Sequence, residues 1–330
     1  MVDFTVFKGS KGGKIIKSQT KRELGHDEVL IKVTHSGVCG TDEHFKEADM
    51  VLGHEGAGII EEVGSSVKAY SKGDSVGWGY QQTACGHCKQ CITGRETLCP
   101  ERTMYGTANF DTGSFAHYSI WKAAFIFAIP ASIPREFAAP LMCGGATVFN
   151  ALHSFGARST DRIGVIGVGG LGHLAIQFAA KMGNEVVVFS TTDSKKAEAL
   201  KLGATEFVAT KGVQELKVSG KIDHLLVTTS QQPDWKQILP IMAPGGTIYP
   251  LSVSSEDLKM PYMPIIASEL TVQGSLVAAR QVQRDMLAFA ALHQIRPIIE
   301  TFPLTAEGIE ESMKKLEEGK MRYRAVLVAE

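Results

Sequence analysis

Residues 161–190, DRIGVIGVGGLGHLAIQFAAKMGNEVVVFS, leave few folds open to this chain. A short apolar run, Ile163–Ile166, meets the turn Gly167-x-Gly169-x-x-Gly172. Leu171, Leu174, Ala175, Phe178, Ala179 and Met182 then recur at the spacing of a helix with one buried face. Gly183 stands where a helix-ending glycine belongs, and EVVVFS reads as a buried strand. A strand, a glycine turn, a helix and a strand in about thirty residues form a dinucleotide-binding βαβ unit. The backbone of Gly167, Gly169, Gly170, Leu171 and Gly172 is expected to face a pyrophosphate at the helix N-terminus. Strand candidates at 221–230, 245–252 and 269–276 alternate with helix candidates at 194–203 and 234–245. That alternation predicts an α/β domain with a doubly wound parallel sheet, the Rossmann arrangement. The segment before it differs, with Gly-rich turns and valine-rich strand candidates. The last fifty residues carry a helix candidate, 305–320, and a strand candidate, YRAVLVAE.

The six cysteines point to metal. Cys85, Cys88, Cys91 and Cys99 follow the spacing C-x2-C-x2-C-x7-C in one loop. Four thiolates close a tetrahedral zinc shell with no open position, which makes a structural site. Iron–sulfur clusters use related spacings, but the four-thiolate tetrahedron favours zinc. Cys39 lies in GVCGTDEH, His54 and Glu55 in GHEGAG, and Cys143 in APLMCGGATV. Cys39, His54 and Cys143 together make a Cys2His set whose fourth position stays open for water or substrate, a catalytic arrangement. Glu55 is placed to reach the metal or to orient it. Asp42 is placed to accept the second ring N–H of His54.

The formal charge of −1 over 330 residues gives no footprint for nucleic acid or an anionic membrane. The N-terminal MVDFTVFKGSKGGK lacks the apolar core of a signal peptide, and the longest apolar run, 123–130, is far shorter than a membrane span. A cytoplasmic location is expected, where thiols stay reduced.

GVCGTDEH, GHEGAG, the four-cysteine loop, APLMCGGATV, GVGGLG, LGA at 202–204 and RYR at 322–324 together resemble the zinc-dependent medium-chain alcohol dehydrogenases. Within that superfamily the chain is most similar to the cinnamyl-alcohol-dehydrogenase-like branch, over nearly its whole length. The resemblance implies a catalytic domain over 1–145 and 279–330 with a partly open β-barrel-like, GroES-like core. The dinucleotide-binding domain, 146–278, would be inserted into it, with the active site in the cleft. It implies two zinc ions per chain, a small-molecule alcohol or aldehyde as substrate, and a homodimer joined through the strand at 269–276. It also implies that Arg324 contacts the cofactor.

Hydride would then pass between a carbinol carbon and a nicotinamide. Thr41 has the hydroxyl to take the alcohol proton, and His44 is suited to pass it toward solvent. NAD enzymes of this fold carry an acidic residue at the end of the second strand. Here Ser190 and Thr191 stand at that point, followed by Lys195, which favours NADP(H); Asp193 is the one acid that could serve NAD instead. Only fourteen residues separate Cys39 from His54, fewer than the resembled family has, so a more open substrate cleft is expected. Tyr80, Met104 and Tyr105 are expected as pocket walls for flat or apolar substrates, with Trp78 nearby. An NADPH-dependent reductase of imines or activated alkenes is the alternative on the same fold. A non-catalytic nucleotide-binding protein is a third reading, against which the open metal site argues.

Overall fold

The structure is a computed structural model that describes residues 1–329. The chain forms two units, Met1–Cys143 with the segment from Ala279 on, and Gly144–Ala278.

The first unit is built on a seven-stranded sheet ordered Ile299–Pro303, Arg324–Val328, Glu28–Val38, Gly56–Val63, Ser75–Trp78, Phe127–Ala128, with Tyr118–Lys122 also paired to Glu28–Val38. All its pairings are antiparallel except that of Ile299–Pro303 with Arg324–Val328. Glu28–Val38 is the central strand, and its alternation buries Val29, Ile31 and Val33 while Lys32 stays exposed. These side chains pack with Ile60, Val76, Trp78, Phe115 and Trp121 in one core. Each fully buried aliphatic side chain there contributes about 1.5–3 kcal/mol. Trp78, expected near the pocket, is wholly enclosed in this core. The four-cysteine loop emerges between the short paired strands Gln81–Thr83 and Thr103–Met104.

The second unit is a six-stranded parallel sheet. Its strands run Glu206–Ala209, Glu185–Ser190, Arg162–Ile166, Ile222–Val227, Met242–Pro250, Thr271–Val272. In chain order this is 3-2-1-4-5-6, the doubly wound dinucleotide-binding arrangement. Helix Gly172–Lys181 follows the first strand and gives way at Gly183, whose φ of 96° suits glycine. The expected helix at 234–245 is cut to Trp235–Ile238 and one 3-10 turn, because Pro240 has no N–H to continue the ladder. The expected strand at 269–276 pairs only over Thr271–Val272. Helices Arg135–Pro140, Ala146–His153, Tyr262–Ala267 and Arg280–Leu292 were not foreseen; the first widens into a π turn, Leu141–Gly145, before the second.

Candidate active site

Cys39 ends the central strand and caps the short helix Gly40–His44. Asp42, inside that helix and fully buried, organises the surroundings. Its Oδ2 accepts the Cys39 N–H at 2.9 Å, and its Oδ1 accepts the Gly53 N–H at 3.2 Å. His54 Nδ1 lies 2.9 Å from Oδ1. An ionised carboxylate only accepts, so Nδ1 carries a proton. Burial opposes a second proton on Nε2, but Asp42 and Cys39 outweigh it and hold the ring's pKa well above its ordinary range, so a metal ion at Nε2 would displace that proton. That Nε2 is buried with no hydrogen-bond partner, as is Glu55 Oε2. Glu55 Oε1 is paired with Arg324, itself buried.

Cys143 arrives on the π turn. The ligand atoms of Cys39, His54, Glu55 and Cys143 all lie within 4.8 Å of one another. Cys143, hydrogen-bonded to Cys39, holds the Cys39 thiol well below its ordinary range against the cost of burial, with His54 and Arg324 adding to the effect. Burial pushes the Glu55 carboxyl up to about 7, against the pull of Arg324. Two sulfurs, an imidazole nitrogen without a hydrogen-bond partner and an unsatisfied carboxylate oxygen converge, all buried but the half-buried Cys39, and suit a zinc ion with an exchangeable position. Asp42 is the outer carboxylate that fixes the histidine tautomer.

Thr41 is half-buried, and its Oγ1 lies 3.8 Å from Cys39 Sγ. His44, at the other end of the same short helix, is exposed. Tyr80 is half-buried and meets His54 edge-on at 5.5 Å between centroids. Met104 and Tyr105 are both enclosed. The Tyr105 ring lies 4.8 Å from the His54 ring, its Oη accepts the Gly53 N–H at 3.0 Å, and its hydroxyl also bonds the Asp42 carboxylate. Tyr105 therefore supports the Asp42–His54 pair, a role that an aromatic residue beside a polar motif does not announce. Arg324 stands at Glu55 within the first unit.

The four-cysteine loop forms a second cluster. Cys85 Sγ lies 3.9 Å from Cys91 Sγ, and Cys88 Sγ 3.5 Å from Cys91 Sγ. A tetrahedron of Zn–S bonds of about 2.3 Å has edges of roughly 3.8 Å, so the sulfurs fit such an ion. Backbone N–H groups of Cys85 and Cys88 point at Cys99 Sγ and Cys85 Sγ, both at 3.4 Å, which favours thiolates. The Cys85 N–H is the main cause that lowers Cys99 to about 7. Gly86 and Gly94 turn the loop with positive φ.

The second unit carries a cavity of about 490 Å³ at the C-terminal ends of its strands. Gly167, Gly169, Ser190, Thr191 and Lys195 line it, and Asp193 does not. A Cβ on Gly172 would stand 2.0 Å from Gly167 O, so only glycine lets the turn close. Lys195 Nζ donates to Val168 O at 2.6 Å, tying it to the glycine turn. Gly170 and Leu171 lead directly into the helix. Thr228 also lines the cavity and donates to Ile166 O at 2.7 Å. Its position after the fourth strand was the signal, since ligands bind at the carboxyl ends of such sheets.

This architecture is shared with known proteins. Residues 25–131 match the alcohol dehydrogenase GroES-like domain and residues 170–291 the zinc-binding dehydrogenase domain. An alcohol dehydrogenase of Geobacillus stearothermophilus is 35% identical over 326 residues, 94% of each chain. Cinnamyl alcohol dehydrogenase 8 of Arabidopsis thaliana is 32% identical over 94% of this chain and 90% of its own. The solved cinnamyl alcohol dehydrogenase of Sorghum bicolor superposes with a TM-score of 0.92 at 29% identity, covering 99% of this chain and 98% of that one. The CAD of Helicobacter pylori, solved with NADP(H), gives 0.88 at 26% identity over 99% and 98%. The chain belongs to the zinc-dependent medium-chain dehydrogenase/reductase family, with a GroES-like domain and a Rossmann dinucleotide-binding domain. It is an oxidoreductase fold with two clusters of metal-ligating residues.

Proposed function

We propose that the protein is an NADP(H)-linked alcohol dehydrogenase or aldehyde reductase of the cinnamyl-alcohol-dehydrogenase-like branch, acting on primary alcohols and aldehydes with aromatic or apolar substituents. The observation that carries this reading is the convergent Cys39–His54–Cys143 set, buried but for the half-buried Cys39, with an unpartnered His54 Nε2 and a hydroxyl, Thr41, beside it. A zinc ion held there supplies Lewis acidity to an alcohol or carbonyl oxygen. Asp42 keeps the His54 proton on Nδ1, so that Nε2 remains a ligand. Thr41 Oγ1 holds the substrate's proton, and exposed His44 exchanges it with solvent. Cys85, Cys88, Cys91 and Cys99 hold a second zinc that stabilises their loop.

Ser190 and Thr191 hydroxyls with Lys195 favour a 2′-phosphate, and the exposed Asp193 stands off the cavity. NADP dependence also stands in the name of the Mycolicibacterium smegmatis alcohol dehydrogenase C 1, 32% identical over 93% of this chain. Of the three residues expected to wall the pocket, Tyr80 is kept; Met104 and Tyr105 are enclosed, Tyr105 against the His54 ring. The protein acts as a homodimer, and no helix among the described residues is long and apolar enough to cross a membrane.

The test is oxidation of NADPH against NADH with a panel of aromatic and aliphatic aldehydes, run on the native chain and on Cys143→Ala. Aldehyde-dependent oxidation that prefers NADPH and is lost in Cys143→Ala is expected. Equal use of NADH would overturn the cofactor reading. No turnover with any aldehyde, with two zinc ions bound, would shift the assignment to imine or activated-alkene reduction.

A further inference from the structure

Helix Arg280–Leu292 starts without a cap of its own, because Ala279 at its N-cap position has no side chain to accept the first N–H groups. The acceptor comes from the four-cysteine loop. Glu96, three residues before Cys99, is only 2% exposed. Its Oε1 takes the Arg280 backbone N–H at 2.7 Å and the Arg280 Nε–H at 2.9 Å. Gln81 Nε2 holds the Glu96 carbonyl at 2.9 Å, and the Arg280 guanidinium lies 4.8 Å from the centroid of the Phe125 ring. A buried carboxylate held this way costs more to disturb than a surface ion pair.

One turn along the same helix stands Gln283, 3% exposed. Its Nε2 reaches Leu141 O at 3.4 Å and Met142 Sδ at 3.7 Å. Leu141 and Met142 open the π turn that delivers Cys143. The same turn is also packed tightly against Gly77 and Gly79. A Cβ on Gly77 would lie 2.6 Å from Met142 Sδ, and one on Gly79 would lie 2.5 Å from Met142 O. The turn thus touches both the backbone near Ser75–Trp78 and the helix that begins at Arg280.

The loop that presents Glu96 has little apolar packing of its own, since Ile92 and Leu98 are exposed, so its shape depends on the four sulfurs being held together. We infer that Glu96 is a positioning residue that links the two metal clusters: filling the Cys85–Cys99 site sets the start of helix Arg280–Leu292, and Gln283 carries that setting to the Cys143 turn. A metal lost from the four-cysteine loop loosens the hold on the Cys39–His54–Cys143 site, and linkage makes the effect reciprocal. The inference rests on the reading that both clusters hold metal. These contacts form a continuous path, and a mutant cycle measures the energetic coupling along it.

The experiment uses full-length protein loaded with Co2+, whose absorption distinguishes a four-thiolate from a two-thiolate site. Metal release to a chelator is followed at each site in native protein, Glu96→Gln, Gln283→Leu and the double variant. Glu96→Gln is expected to shift the two-thiolate bands and to speed release from that site by about 10-fold or more. Gln283→Leu should do the same, and the double variant should be no faster than the faster single one. Arg280→Lys keeps the charge and the backbone N–H but loses the Nε–H, and gives the milder test if Glu96→Gln does not fold. Unchanged bands and release at the Cys39–His54–Cys143 site in Glu96→Gln or Arg280→Lys would overturn the inference, as would single-variant effects that simply multiply. Native protein that takes up one metal or none overturns the metal reading itself, and the coupling with it.

Discussion

A tyrosine hydroxyl is not buried without a partner at small cost, and Tyr105 has two partners, the Gly53 N–H and the Asp42 carboxylate. The sequence placed Tyr105 on a substrate pocket because an aromatic residue near a ligand motif looks like a wall. Its enclosure depends on the segments around Asp42, Gly53 and Tyr80 meeting around it, and no local pattern reports that. The metal ligands were legible for the opposite reason. Cysteine and histidine have few roles at such spacings, and the structure gathers all eight proposed ligands into two clusters. Tyr105→Phe separates the roles. The ring still packs, but Gly53 N–H is left with only the longer bond to Asp42. We expect a loss of about 1–2 kcal/mol in stability, within the range for a buried hydrogen bond removed. Metal affinity at the Cys39–His54–Cys143 site should fall, while KM keeps its ranking across substrates of different size. Thermal unfolding and metal titration measure the first two. A KM change that tracks substrate bulk, with metal affinity intact, would return Tyr105 to the pocket.

Among the elements, the short helix Gly40–His44 carries a pH-dependent strain. Glu43 is half-buried near helix Ala306–Glu317, and its Oε1 has no hydrogen-bond partner. Burial raises its carboxyl to about 7, the like charge of Glu317 adds to this, Lys46 opposes it, and Cys39 and Asp42 contribute smaller repulsions. The folded pKa lies above the ordinary value of 4.5, so folding favours the protonated form. That stabilisation is full below pH 4.5 and is lost as pH rises toward about 7. In Glu43→Gln nothing titrates there. The native protein's melting temperature should therefore fall more steeply between pH 5 and pH 8 than the variant's, by a few degrees. Parallel melting curves would show that Glu43 is ionised throughout. The same scale shows what periodicity can and cannot reveal. The dinucleotide unit was readable because its strand is an uninterrupted apolar run and its helix keeps one apolar face. Helix Arg280–Leu292 has the same signal, with buried residues at 283, 286, 287 and 290, but the first of them is glutamine. A polar residue in a core position hid the helix, and it is the residue that touches the Cys143 turn.

At the scale of the whole molecule, strand order was beyond the sequence, because pairing joins segments far apart in the chain. Alternation of strands and helices implied a parallel sheet, but not that Thr271–Val272 would be its last and shortest strand. That strand pairs on one side only, and its free edge is a template for a second chain. The preceding helix, Tyr262–Ala267, buries none of its residues, with Tyr262 82% exposed and Met263 67%. Ile266, Val272 and Leu276 add apolar surface to the same stretch of chain. A free strand edge beside exposed apolar side chains fits another copy of itself, since two such edges extend one sheet through a two-fold axis. We expect light scattering to give twice the chain mass for the native protein. Tyr262→Ser with Met263→Ser should move it toward monomer, because truncating a buried anchor in such a contact costs about 2 kcal/mol or more. The variant should keep its far-ultraviolet dichroism, as neither side chain is packed within its own chain. A native monomer would refute the dimer, and a dimer indifferent to both substitutions would place the interface on another face.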